Sequence, residues 1–166
     1  PIVILARPQM AENIGATARA MMNCGLNDLR IVAPRDGWPN PLAVPMAAGA
    51  IQILENATLH DNIASAAHDV SFLAAASARR RDMPMRETDP RAVAGEILAH
   101  HGKAALLFGP EASGLDNDEV VQADVLVTAA LNPKYPSLNL AQAVLLLAWE
   151  WRAAMLVASA DVASIT

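Results

Sequence analysis

"AALLFGPEASGL", Ala104 to Leu115, joins an unbroken apolar run to a turn-rich segment that carries one carboxylate, Glu111, between Gly109 and Gly114. The run has strand length, and its lack of polar alternation suits a strand buried on both faces, as in a parallel sheet. Four more runs share the pattern: Ile2 to Leu5, Leu29 to Ala33, Val70 to Ala76 and Asp124 to Thr128. Between them lie helical patterns near Asn13 to Cys24, Met46 to Leu54, Asp61 to Ala67, Pro90 to His100, Asn117 to Gln122 and Asn139 to Val157. Gly25 suits the left-handed turn that ends the first of these. The alternation predicts one α/β domain over residues 1–166, a mostly parallel sheet with helices on both faces. Residues 158–166 lose apolar density and read as a frayed tail or the start of a further extension.

At 166 residues and 54% hydrophobic composition the chain can bury a core of single-domain size. One cysteine, Cys24, excludes an internal disulfide and a thiolate zinc site. His60 and His68 have no ligand-like company, and His100 and His101 stand at a predicted helix end where partial positive charge suits the dipole, so no metal is expected. "PIVIL" lacks the basic leader and long apolar stretch of a signal peptide, and a cytoplasmic location is the expectation. Gln142, Glu150 and Arg152 interrupt the apolar run from Ala141 to Ala158, which reads as a buried or dimer-forming helix rather than a membrane span.

A net charge of −5 argues against a strong non-specific grip on nucleic acid. The distribution is uneven, however: Arg79, Arg80, Arg81, Arg86 and Arg91 fall within thirteen positions, as a solvated loop or as a local anion-binding patch.

Functional loops of parallel sheets gather at the carboxyl ends of the strands, and three such segments are chemically unusual. "FGPEASGL" lacks a P-loop lysine, and no G-x-G-x-x-G follows a strand, which removes the ordinary phosphate and dinucleotide readings. It is either a plain strand-to-helix turn or a backbone folded closely around a ligand. In "NIGATAR", Asn13 is a candidate helix cap and Arg19 either a surface residue or a functional cation. In "NPKYPSLN", Pro133 and Pro136 stiffen a loop presenting Tyr135, and Ser137 or Asn139 would cap the following helix.

Taken together, these three loops resemble the SPOUT superfamily of RNA methyltransferases, in particular the TrmH/TrmJ-type ribose 2′-O-methyltransferases. N-x-G-x-x-x-R stands as Asn13, Gly15 and Arg19. F-G-x-E-x-x-G-L stands as Phe108, Gly109, Glu111, Gly114 and Leu115, and N-P-x-Y-x-S-L-N as Asn132, Pro133, Tyr135, Ser137, Leu138 and Asn139. "SARRR", Ser77 to Arg81, is similar to the arginine-containing loop of the TrmJ-like branch. Where many relatives carry an Ile-Pro pair, this chain has Thr128, Ala129 and Ala130.

The resemblance implies S-adenosylmethionine held in a carboxyl-terminal deep trefoil knot, in a homodimer whose active sites use the subunit interface. It assigns the cofactor pocket to Ala76, Ser77, Ala78, Gly109, Ala129, Pro136, Ser137, Leu138 and Asn139. The catalytic set is Arg19, Asn13, Glu111, Ser137 and Asn139, with Arg79, Arg80, Arg81, Arg86 and Tyr135 as RNA contacts. The implied substrate is RNA rather than DNA, with tRNA as the expected class and anticodon-loop pyrimidine 32 the TrmJ-like target. The alternatives are a non-catalytic RNA-binding dimer and a methyltransferase acting on rRNA or another substrate.

Neutralising a guanidinium at neutral pH costs at least about 7 kcal/mol, whereas general-base catalysis returns about 3 to 5.5 kcal/mol. The expected role of Arg19 is therefore a permanent cation that grips RNA phosphate and stabilises the developing alkoxide. Asn13 is expected to orient it, Glu111 to anchor its loop or an RNA-facing group, and Ser137 with Asn139 to position ribose and cofactor.

Overall fold

The computed structural model describes residues 1–77 and 84–165. Seven strands form one sheet: β1 (Ile2–Ala6), β2 (Leu29–Val32), β3 (Thr58–His60), β4 (Phe72–Ala76), β5 (Glu87–Thr88), β6 (Ala104–Phe108) and β7 (Val125–Val127). Their order is β3-β2-β1-β6-β4-β7-β5, and every pairing is parallel. β6 enters between β1 and β4, and β7 between β4 and β5. The carboxyl ends of β1, β6, β4 and β7 consequently lie side by side.

Alternation along the strands divides the core in two. Val3 and Leu5 of β1 join Leu106 and Phe108 of β6 on one face, while Ile2 and Ile4 join Ala105 and Leu107 on the other. On the first face pack α1 (Ala11–Asn23), α2 (Val44–Ala47), α3 (Ile51–Asn56), α5 (Pro90–Ala99) and α7 (Leu140–Ile165). Among the described residues the second face carries only short cover, α4 (Ile63–Ala66) and α6 (Asn117–Val120). Helices thus lie on both faces, as expected, but unequally.

Several boundaries differ from the sequence reading for identifiable reasons. β3 and β5 were not expected: three and two residues long, respectively, they carry too little pattern and exist through pairing with β2 and β7. The helix predicted over Met46 to Leu54 is broken, because Ala48 takes φ 50° and Gly49 follows, separating α2 from α3. α7 continues to Ile165, beyond its predicted end at Val157. It is long and apolar enough to cross a membrane by length and composition. Its first half, however, packs through Leu140, Val144, Leu147 and Ala148 into the core, and from Leu156 onward the large side chains are exposed. The chain reversal after α1 follows the prediction: Gly25 has φ 77°.

Gly15 is needed for packing. A Cβ there would lie 1.9 Å from the carbonyl oxygen of Ala43, in the single 3₁₀ turn Pro41–Ala43 that crosses α1. At the opposite end of the sheet, Arg30 is a buried cation with its needs met. Its guanidinium donates to both oxygens of Asp28, to the Ala66 carbonyl and to Asp69, which also accepts from Lys103. The bonds from Arg30, followed by that from Lys103, hold the Asp69 carboxyl well below the usual range.

Candidate active site

A cavity of about 320 Å³ opens among the carboxyl ends of β4, β6 and β7. Ala76 and Ser77 contribute from the end of β4, and Gly109 from the end of β6. Ala129, Pro136, Ser137 and Leu138 belong to the segment joining β7 to α7. Seven residues assigned by motif to cofactor binding, separated by up to 62 positions, therefore share one wall system. Glu111 lines it as well. Ala78, Arg79, Arg80 and Arg81 lie outside the described residues.

The narrowest requirement is at Gly109. A Cβ there would sit 2.3 Å from the backbone nitrogen of Leu115 and 2.5 Å from the carbonyl carbon of Gly114, so the turn closes on itself with no room for a side chain. Gly114, with φ 67°, supplies the left-handed residue that returns the chain. The floor was not anticipated. Ala143, Leu146 and Leu147 line the cavity from α7, and their spacing of three and four residues reads in sequence simply as a core-facing stripe.

Around the rim, three distant segments are tied together. One oxygen of Glu111 accepts from the Gln9 backbone N–H at 2.7 Å; the other accepts from Met10 N–H at 3.2 Å and Asn13 Nδ2 at 3.0 Å. Met10 is the residue before α1 and provides no side-chain cap, so a carboxylate from the β6 loop serves the positive end of that helix. Burial pushes the Glu111 carboxyl up; the bonds from Asn13, Gln9 and Met10 outweigh it and leave the group below its ordinary value. Gln9 returns the contact by accepting from Ala112 N–H at 2.8 Å.

Asn13 is therefore in the third position of α1 rather than its cap. Its Oδ1 accepts from Asn139 Nδ2 at 3.2 Å, so both ends of its side chain are committed to Glu111 and Asn139. Arg19 follows six residues later, about 9 Å along the helix axis and about 120° around it. It is exposed, makes no hydrogen bond or ion pair among the described residues, and does not line the cavity. The expected orientation of Arg19 by Asn13 has no counterpart in these hydrogen bonds.

Asn139, not Ser137, caps α7. Its Oδ1 accepts from Ala141 N–H at 2.9 Å, and its own N–H donates to Gln142 Oε1 at 3.2 Å, the back-bond of a capping box from the third helical residue. Asn139 is absent from the cavity lining, whereas Ser137 is part of it. Tyr135 is 78% exposed beside the mouth. Arg86 already donates to Glu96 at 2.6 Å. Sequence reasoning also missed Arg7, which adopts φ 50° after β1 and makes two bonds, 3.0 and 2.6 Å, to Glu119 of α6, staying the far side of the β6 loop. No group of three or more metal-binding side chains occurs among the described residues.

The profile of the SpoU rRNA methylase family matches residues 1–149. The chain belongs to this family. Among solved structures, TrmJ from Z. mobilis ZM4 superposes with a TM-score of 0.89 at 47% identity, over 92% of this chain and 68% of that one. A probable methyltransferase from Bordetella pertussis Tohama I superposes with a TM-score of 0.84 at 36% identity, over 92% and 94% respectively. The tRNA (cytidine/uridine-2′-O-)-methyltransferase TrmJ of Yersinia enterocolitica is 39% identical over 156 residues, 93% of this chain and 60% of the relative. The chain thus spans about three fifths of the length of such curated relatives.

Proposed function

We propose that this SpoU-family chain transfers a methyl group from S-adenosylmethionine to a ribose 2′-hydroxyl of tRNA, with anticodon-loop pyrimidine 32 as the target. The observation that carries the reading is the convergence of Ala76, Ser77, Gly109, Ala129, Pro136, Ser137 and Leu138 on one cavity. The donor set suits a neutral adenosine with an attached amino acid: small side chains, close backbone at Gly109, an apolar floor and few charges. When bound, S-adenosylmethionine supplies an electrophilic methyl group.

The chain's own residues would do the rest. The tight Gly109 turn admits the cofactor against bare backbone, and Ser137 offers a hydroxyl at the wall. Glu111, Asn13 and Asn139 fix the relative placement of the β6 loop, α1 and α7. Arg19 grips RNA phosphate and steadies the alkoxide as a permanent cation. Its separation from the cavity within one chain supports an active site completed across a homodimer, with the exposed apolar part of α7, including Trp149 and Leu156, as covered surface. The entry of β6 and β7 between earlier strands, followed by a segment lining the cavity beside the β4 and β6 loops, supports a carboxyl-terminal trefoil knot. Residues 1–166 act as one catalytic domain in the cytoplasm, with Arg79, Arg80, Arg81, Arg86 and Tyr135 meeting the RNA, and Ala78 completing the cofactor wall.

The test is incorporation of labelled methyl from S-adenosylmethionine into tRNA and rRNA, followed by nuclease mapping of the modified nucleotide. Wild-type protein should label tRNA ribose. Arg19→Lys should retain part of the turnover and Arg19→Ala almost none, with cofactor affinity little changed in both. Cofactor and tRNA binding without transfer would replace this reading with that of a non-catalytic RNA-binding dimer, and labelling confined to rRNA would move the substrate.

A further inference from the structure

Leaving Arg79, Arg80 and Arg81 aside, nine of the twelve Lys and Arg residues are described, and most are already neutralised. Arg7 is held by Glu119, Arg30 by Asp28 and Asp69, Arg35 by Asp36, Arg86 by Glu96, Arg91 by Glu150 and Lys103 by Asp69. Arg19, Lys134 and Arg152 make no ion pair among the described residues. A cation kept clear of carboxylates retains its full attraction for an external anion, so these three are the positions to ask about. Arg152 lies beside Gly25, in the turn that precedes β2, at the far end of the sheet from the cavity. Arg19 already has a role under the proposed reaction. Lys134 has none.

Its placement is specific. Asn132 accepts twice: its backbone carbonyl from Tyr135 N–H at 2.9 Å and its side-chain Oδ1 from Lys134 N–H at 3.0 Å. That is a four-residue turn reinforced by an Asx bond, with Pro133 in the second position and Lys134 at the exposed corner. Pro136, which lines the cavity, is two residues on, so the two Cα atoms are no more than about 7 Å apart. Glu111 lines the same cavity but is taken up by Gln9, Met10 and Asn13, and Asp116 and Glu119 are taken up by Arg7, so no carboxylate among the described residues pairs with Lys134. The turn holds the Lys134 backbone in place, while its ammonium makes no ion pair among the described residues.

We propose that Lys134 is an RNA-contacting residue that binds a backbone phosphate next to the target nucleotide, so that the Lys134–Tyr135 corner selects a ribose within a polynucleotide over a free nucleoside. This rests on the RNA-methyltransferase reading above. A phosphate contact of this kind acts on RNA affinity and its salt dependence, not on the cofactor.

The experiment compares wild type, Lys134→Ala, Lys134→Arg and Lys134→Glu. The readouts are binding of unmodified tRNA from 50 to 300 mM salt, calorimetric affinity for S-adenosylmethionine, and steady-state methylation. Lys134→Ala should weaken tRNA binding by roughly three- to tenfold and lower the salt slope by about 0.7 to 0.9. KM for tRNA should rise with kcat and cofactor affinity unchanged; Lys134→Arg should restore binding, and Lys134→Glu should weaken it further. Equal tRNA affinity and equal salt slope in wild type and Lys134→Ala, with an active wild type, would overturn the assignment while leaving the methyltransferase reading intact. A wild type that neither binds nor methylates tRNA would overturn both.

Discussion

The two long walls of the cavity are built in opposite ways. The β6 loop, from Gly109 to Leu115, is bonded outward: Glu111 and Ala112 engage Gln9, Met10 and Asn13, while Leu115 is buried in the second core. The segment from β7 to α7 is bonded mainly to itself. Leu131 N–H donates to Ala129, and Lys134 and Tyr135 to Asn132, while residues 132–137 are all exposed. It is moored at its ends, by Thr128 N–H on Thr88 and by Asn139 on Asn13. One wall is thus set by the fold, and the other is an arch whose proline-stiffened turn holds shape with little help. The former should fail by losing stability, and the latter by losing affinity.

The hardest blow to the fixed wall is Gly109→Ala. The added Cβ meets backbone on two sides, and neither side can rotate away. Expected is a loss of about 3 kcal/mol in urea unfolding, together with a roughly hundredfold loss of S-adenosylmethionine affinity by calorimetry. Wild-type values for both in this variant would mean that the wall yields and the contrast is wrong.

Glu111→Ala is next. It strands three donors at the start of α1 and should cost about 2 kcal/mol, or about 4 to 8 °C in thermal midpoint. Because the folded carboxyl titrates below its ordinary value, its contribution is complete above the unfolded-state pKa of about 4.3 and fades as pH falls through the lower folded value. The stability gap between wild type and Glu111→Gln should therefore shrink as pH falls below about 4.3, measured by urea titration at each pH. A gap that is flat with pH would show that the carboxylate charge does not hold this wall.

The smallest effect belongs to the arch. Pro136→Ala keeps every hydrogen bond of the turn and only loosens the chain, so stability should change by less than about 1 kcal/mol. The KM for S-adenosylmethionine should rise about two- to fivefold. A fall in thermal midpoint as large as that of Glu111→Ala would place both walls in one cooperative unit.

The difference between the walls also marks how far the residues alone could be read. Gly109, Glu111 and Gly114 are visible as a turn with a carboxylate because glycine and a lone acid after an apolar strand are local signals. The purpose of that acid was not visible, since its partners are 98 to 102 positions away and only the adjacency of β1 and β6 brings them within reach. Asn13 shows the converse. As an asparagine near a helix start it reads as a cap, yet α1 begins two residues earlier and its cap is borrowed from another loop.

What the sequence by itself determined is the parallel α/β class, since both-face burial demands unbroken apolar strands, and the helix and turn chemistry of short range: Gly25, the Pro133–Pro136 loop, and a polar cap for α7 at Ser137 or Asn139. Tertiary structure alone decided the strand order, the existence of β3 and β5, the meeting of Ala76, Gly109 and Ser137 in one cavity, and which of the described cations find carboxylate partners. These depend on contacts between segments far apart in the chain, where one hydrogen bond or ion pair is worth little until the packing of the sheet has already settled who stands beside whom.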